Sequence, residues 1–232
     1  MPLHAVAISA VVVVVVVVAL LITPPVVFAT GFDVSHCPYY PVVGRGNVSL
    51  ADKWREEPES YLSLACSDFP NYFIFTGPNA VVGHGSLIEG LSWSAEYMIK
   101  WLKKVLAEDI KSIEPRQDVV DEFIEYGDQI QRTLTWTGSC RSWYKKGRVD
   151  GRVTATFPGS ALLFKRMIAD IRGEDWKIQY NTANRFSFMA NGFMDYEFDD
   201  KSDLAWYVQE IKTRRADTEV DSKKGRQHPP RA

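Results

Sequence analysis

A chain of 232 residues, 46% hydrophobic and 24% charged, has the composition of an ordinary globular protein of one or two domains. Its 27 basic and 29 acidic residues nearly balance, which argues against nucleic acid as a partner. The three cysteines, Cys37, Cys66 and Cys140, are far apart, odd in number and fit no metal-ligand spacing, so neither a metal site nor a disulfide framework is expected and a reduced intracellular setting is favoured.

The first 25 residues are the anomaly. Ala5 to Ile22 is apolar apart from Ser9, long enough to reach the ~18-residue threshold for a membrane span. Only the amino terminus and His4 could supply positive charge ahead of it, which makes a poor secretory signal. A signal-anchor helix, a cleaved signal and a low-complexity start all stay open, and with them a cytoplasmic or a single-pass membrane location. Asn47 heads an NVS triplet, a glycosylation acceptor only in a secreted chain.

From Val26 the pattern turns globular. VVFAT is β-branched and apolar, a buried strand stopped by Gly31, with Asp33 just beyond. HCPYYPVVGRGN, with two prolines and two glycines, reads as an irregular surface segment. Tyr72 to Pro78, YFIFTGP, predicts a second strand. From Ser86, a good N-cap, Leu87, Leu91, Ala95, Met98, Leu102 and Val105 recur at helical spacing, with Lys100, Lys103 and Lys104 toward the C-terminal end. A second helix is expected over 116–134 with Val119, Phe123, Tyr126 and Ile130 inward, and a third over 160–171 with Leu163, Phe164, Met167, Ile168 and Ile171 inward. WKIQY predicts a short strand, SDLAWYVQEIK a final short helix, and residues 214–232 a disordered tail.

The stretch between the Tyr72 strand and the Ser86 helix, GPNAVVGHGS, carries the candidate chemistry. A glycine loop feeding a helix start brings backbone N–H groups and the positive end of the helix dipole to one spot. Gly77, Gly83 and Gly85 lack a Cβ and allow close approach of a ligand. Phosphate, carboxylate or the pyrimidine edge of a flavin would suit such a spot, and a purely structural loop would look the same. It is neither a Walker loop nor a Rossmann fingerprint, and no GxGxxG occurs anywhere in the chain. His84 could act as a base or pack at the helix start. Asp33 could touch a ligand or close an Asx turn. Arg141, Lys145, Lys146 and Arg148, interleaved with Trp143 and Tyr144, could bind an anion or form a solvated stacked loop. No hydrolase order of Ser, His and Asp is present, and no catalytic residue is assigned.

In order, ATGFD, FPNYFIFTGPNAVVGHGS, CRSWYKKGR with its following FPGS, and NRFSFMANGF resemble the C-terminal region of class B flavin-dependent monooxygenases that use FAD and NADPH, most closely the fungal Baeyer–Villiger type. The resemblance implies an α/β chain. It would be part of a FAD-binding fold of the type with two dinucleotide-binding domains, over residues 26–213, with a C-terminal α+β extension and the hydrophobic segment 1–25 in front. Gly31 and Asp33 would belong to an interdomain linker. Gly77, Pro78, Asn79, His84, Gly85 and Ser86 would approach the flavin. The implied activity is oxygen insertion next to a ketone or related small organic substrate, in secondary metabolism, with FAD and NADPH as cofactors. The glycine motifs that hold FAD and NADP in that family are absent, so the enzyme is expected to be incomplete and inactive alone. A membrane-anchored non-catalytic remnant, with Ala5 to Ile22 as its membrane contact, and an unrelated α/β binding domain are the alternatives.

Overall fold

The computed structural model describes residues 33, 35–80 and 83–208. The apolar segment 1–25, the VVFAT strand, Gly31 and the tail 214–232 lie outside the described residues. In chain order the regular elements are α1 (Leu50–Lys53), α2 (Leu87–Ala107), β1 (Ile110–Pro115), α3 (Gln117–Gln131), α4 (Ala161–Met167) and β2 (Trp176–Tyr180), joined by turns and short 3₁₀ segments. The chain is thus mixed α and β. Its two strands pair antiparallel, with Ile113 opposite Ile178 and Pro115 opposite Trp176, and an irregularity between Ile110 and Ser112.

α2 begins where its cap dictates: the Ser86 side chain accepts from the Glu89 N–H. Its buried face overlaps the expected one only in part, since Met98 and Val105 pack half-buried against the main core. Ser94, Tyr97 and Trp101 are buried, whereas Leu87 and Leu102 are exposed. The apolar spacing was met on an arc next to the one that packs, because the two large aromatic rings bury more surface than the leucines and turn the helix toward themselves. On α3 the expected Val119 and Phe123 do pack half-buried against the core. Val120, Gly127 and Gln131 are buried and Tyr126 is exposed. A Cβ at Gly127 would stand 3.1 Å from the Pro158 Cγ, so the missing side chain is what lets the 157–158 segment close on this face. α4 is capped by the Ser160 hydroxyl, which accepts from the Leu163 N–H at 3.1 Å. It ends at Met167, short of the expected Ile171, and leaves Leu163 exposed while burying Ala161 and Phe164. Residues 206–208 are helical, and the rest of the expected last helix lies outside the described residues.

The expected strand at Tyr72–Pro78 is corrected among the described residues to an isolated bridge between Ala65 and Phe73. The Ile74 N–H donates to the Leu64 carbonyl at 2.9 Å, after which Thr76 turns the chain at φ 52°. Alternating aromatic and β-branched residues mark a pleated surface, and here only its edge toward Leu64 and Ala65 is paired among the described residues. β1 has no such pattern, because IKSIEP places a buried Glu114 in the strand. That carboxylate is held by the Arg45 guanidinium at 3.0 Å, which satisfies the buried charge.

The main core gathers Tyr61, Tyr97, Trp101, Phe157, Phe164 and Trp176 among its buried members. Trp101 and Trp176 meet at a tilt with 4.6 Å between ring centroids, and Tyr61 meets Trp176 edge-on at 5.4 Å. The Tyr61 hydroxyl donates to Asp175 at 2.6 Å, and the Arg172 Nε donates to the same oxygen at 2.7 Å. Burial, with the Asp175 carboxylate beside it, holds the Tyr61 phenol well above the ordinary tyrosine value. Among the described residues no helix is long and apolar enough to cross a membrane.

Candidate functional site

The loop from Gly77 to Ser86 divides into a buried half and an exposed half. Gly77, Pro78 and Asn79 are buried. A Cβ at Gly77 would meet the Ser63 carbonyl oxygen at 2.8 Å, so the loop and the Ser63 backbone touch as only glycine permits. The Ser60 hydroxyl donates to the Pro78 carbonyl at 2.8 Å and the Ser63 hydroxyl to the Asn79 carbonyl at 2.7 Å. Asn79 itself sits at φ 61°. Its amide nitrogen donates to the Val153 carbonyl at 3.1 Å and the Thr156 carbonyl at 3.0 Å, and its own N–H donates to Thr154. Its Oδ1 is buried with no partner among the described residues. Asn79 is therefore the clamp that holds the loop against residues 153–156. The sequence shows its type but gives no sign of its partners, which lie far along the chain.

His84, Gly85 and Ser86 form the exposed half, at the N-terminal end of α2. Gly85 has φ 96°, and a Cβ there would come within 3.2 Å of the Ala161 Cβ. A Cβ at Gly83 would meet the Trp136 ring at 2.5 Å. The two glycines thus thread the loop between Trp136 and the start of α4, and the start of a 21-residue helix faces outward beside them. An exposed backbone next to a long helix's positive end fits an anionic or carbonyl-rich ligand edge.

A cavity of about 540 Å³ adjoins the loop on its Tyr72–Thr76 side, lined also by Asp33, His36, Tyr40 and Trp143. That size falls in the range of small-molecule sites. Asp33 accepts from the Ser35 N–H at 2.9 Å, the turn-closing role expected of such a residue. The structure gives Gly31 no place, since it lies outside the described residues. Burial lowers the His36 pKa below its ordinary value; the Thr76 backbone opposes this, Lys146 adds to it and Asp33 opposes it. A histidine whose folded pKa is depressed binds its proton more readily unfolded, so its stabilisation is present above the unfolded pKa and is lost as pH falls through the folded one. His36→Phe is accordingly expected to flatten the loss of thermal stability on acidification below the ordinary histidine pKa, measured as melting temperature against pH. An unchanged slope would remove His36 as its cause.

The basic loop does not offer a free anion patch. Lys145 is buried and donates to the carbonyls of Gly138 and Val149. Lys146 donates to the Arg55 carbonyl at 2.8 Å, and Arg141 to the Gly147 carbonyl at 2.7 Å. These cations tie the loop to itself and to the end of α1, which is the structural reading of the pair. Among the described residues no cluster of His, Cys, Asp and Glu is arranged to hold a metal ion.

No family model matches the chain. It is 40% identical over 186 residues to the FAD-binding monooxygenase tazF of Aspergillus terreus, covering 79% of this chain and 33% of that protein. It is equally 40% identical over 168 residues to the FAD-binding monooxygenase stcW of Emericella nidulans, covering 72% of this chain and 28% of that one. The chain thus spans about a third of the length of these relatives. Among solved structures, the fold matches cyclohexanone monooxygenase from Rhodococcus sp. Phi1 bound to NADP+ (TM-score 0.53, 21% identity, 60% of this chain and 27% of that one). It also matches an oxidized steroid monooxygenase bound to NADP (TM-score 0.51, 23% identity, 60% of this chain and 27% of that one). FAD and NADPH are accordingly the cofactors of the family. Over most of its length the chain is a member of the FAD-binding monooxygenase family and carries the equivalent of about a third of such a protein.

Proposed function

We propose that this chain forms the flavin-facing part of an NADPH- and FAD-dependent monooxygenase that inserts oxygen next to a ketone or related carbonyl of a small organic substrate, within secondary metabolism. The observation that carries the reading is the exposed His84–Gly85–Ser86 turn at the N-terminal end of α2, in a chain 40% identical to FAD-binding monooxygenases. FAD held there would supply the oxygen-transfer chemistry. The chain's own part is positional. Gly85 leaves room for a flat ring edge, Ser86 fixes the helix start, and Gly77, Pro78 and Asn79 hold the loop in place behind them. The helix dipole favours negative charge at this end. Asp33 acts in the connection leading into the site.

With no GxGxxG to bind the FAD pyrophosphate in this sequence, the chain alone is expected to bind flavin weakly and to oxidise no NADPH. Titrating the full chain with FAD and following flavin fluorescence tests this. Saturable quenching that Gly85→Val abolishes, with the circular dichroism unchanged, is the expected result. No saturable quenching, or quenching indifferent to Gly85→Val, refutes the loop's role. NADPH turnover by the chain alone would refute its incompetence.

A further inference from the structure

Trp176, the first residue of β2, stands between two cavities. On one side its ring lies 5.8 Å from that of Phe73, which lines the cavity beside the Gly77–Ser86 loop. On the other side it lies 5.4 Å from the ring of Tyr61. Tyr61 lines a second cavity of about 550 Å³, together with Asp175, Arg172 and Glu122. The loop's proposed role uses neither this second cavity nor the bond between Tyr61 and Asp175. Ring-to-ring steps this short let an electron pass between side chains, because tunnelling weakens steeply with distance. Phe73 is not itself oxidised; its ring fills the gap between the first cavity and the Trp176 indole.

Protons decide where a missing electron comes to rest, since an indole or a phenol that loses an electron becomes strongly acidic. The Trp101 and Trp176 Nε1 atoms and the Tyr97 hydroxyl are buried with no hydrogen-bond partner among the described residues, so no base there takes a proton from them. Tyr61 differs. Its hydroxyl donates to Asp175 at 2.6 Å, and both residues are buried. As the electron leaves, the phenolic proton crosses to the carboxylate, so no new charge is left on the buried ring. Arg172, donating to the same oxygen at 2.7 Å, holds the acceptor in place. We propose that Trp176 and Tyr61 form a route that draws an oxidising equivalent out of the cavity beside the loop and brings it to rest on Tyr61, with Asp175 as proton acceptor. The oxidant is of the organic peroxyl radical class. It takes one electron, and a proton from water completes the hydroperoxide. Trp176 passes the loss to Tyr61, whose proton goes to Asp175, leaving a neutral tyrosyl radical beside a carboxylic acid. A thiolate that reaches the second cavity gives back the electron and becomes a thiyl radical, and Asp175 returns the proton. The route needs no flavin and stands apart from the role of the Gly77–Ser86 loop.

The test uses the full chain with Tyr40→Cys, Cys37→Ser and Cys140→Ser, so that a ruthenium tris-bipyridine photo-oxidant is tethered at Tyr40→Cys on the wall of the first cavity. A flash with a sacrificial electron acceptor makes a one-electron oxidant there. After rapid freezing, electron paramagnetic resonance should show a neutral, hydrogen-bonded tyrosyl radical. 3-Fluorotyrosine built in at position 61 alone should add fluorine splitting to that signal. A tyrosyl signal without the splitting places the radical on another tyrosine and overturns the proposal, as does the absence of any tyrosyl signal. Tyr61→Phe and Asp175→Asn should each lose the signal and leave a tryptophanyl radical in its place, and the signal should form more slowly in deuterium oxide. An unchanged signal in Asp175→Asn removes Asp175 as the proton acceptor and with it the proposal. Trp176→Phe should lose the signal while the bond between Tyr61 and Asp175 stays intact, and a Tyr61 radical that still forms refutes the route. Each variant is compared with the parent by thermal melting. Where one fails to fold, the fluorotyrosine result alone decides.

Discussion

Trp101→Ala is expected to destabilise the chain by about 3–5 kcal/mol, the range for truncating a buried aromatic. Trp101 is fully buried and lies between the helix that bears the candidate site and the strand β2, its ring 4.6 Å from that of Trp176. Tyr61 and Phe73 pack on Trp176 from the other directions, so the cavity would open at the meeting point of four rings. One effect works the other way. The Trp101 Nε1 is buried without a hydrogen-bond partner among the described residues, and removing an unsatisfied N–H recovers about 1–3 kcal/mol. The cavity still dominates, because dispersion contacts are lost on every side of the indole at once. Trp101→Phe separates the two contributions, since it keeps much of the ring volume and discards the N–H. Urea unfolding followed by far-ultraviolet circular dichroism should rank wild type and Trp101→Phe close together and Trp101→Ala far below. A loss under about 1 kcal/mol for the alanine variant would mean that the core is not centred on α2.

The helices were legible in the sequence because their caps and their period are local. Ser86 caps the helix expected of it, and Ser160, the expected first residue of the third helix, caps that one. Which face packs was legible only in part. α2 has an apolar arc of leucines and isoleucines beside an arc of Ser94, Tyr97 and Trp101, and hydropathy favours the first while contact area favours the second. β1 was not visible at all. A strand containing Glu114 is acceptable only with Arg45 beside it, and 69 residues separate the two. The loop from Gly77 to Ser86 stood out by its glycines, and the structure does set its second half at a helix start. That its first half is internal framework depended on Ser60, Ser63 and residues 153–156, none of which lies near it in sequence.

Asn79→Leu is expected to cost about 2–4 kcal/mol and to weaken flavin binding along with it. Two effects add. The carbonyls of Val153 and Thr156 lose the amide donor that reaches them at 3.1 and 3.0 Å, and a buried acceptor left unpaired costs about 1–3 kcal/mol. Leucine must also adopt φ 61°, a conformation that costs it more than it costs asparagine. Two further variants separate these terms. Asn79→Gly removes the amide but accepts the backbone angle freely, so its loss isolates the tether. Asn79→Asp keeps the shape and the angle but turns a carboxylate oxygen toward two carbonyls, so it should be at least as damaging as the glycine at neutral pH and recover as the carboxylate is protonated. Thermal melts give the order wild type above Asn79→Gly, with Asn79→Leu lowest. In the FAD titration the same order should hold, because the exposed turn at Gly85 is only as fixed as the clamp behind it. A leucine variant with wild-type melting would show that the clamp is slack. One that melts low yet binds flavin as the wild type does would show that the buried half of the loop stabilises the fold without positioning the site.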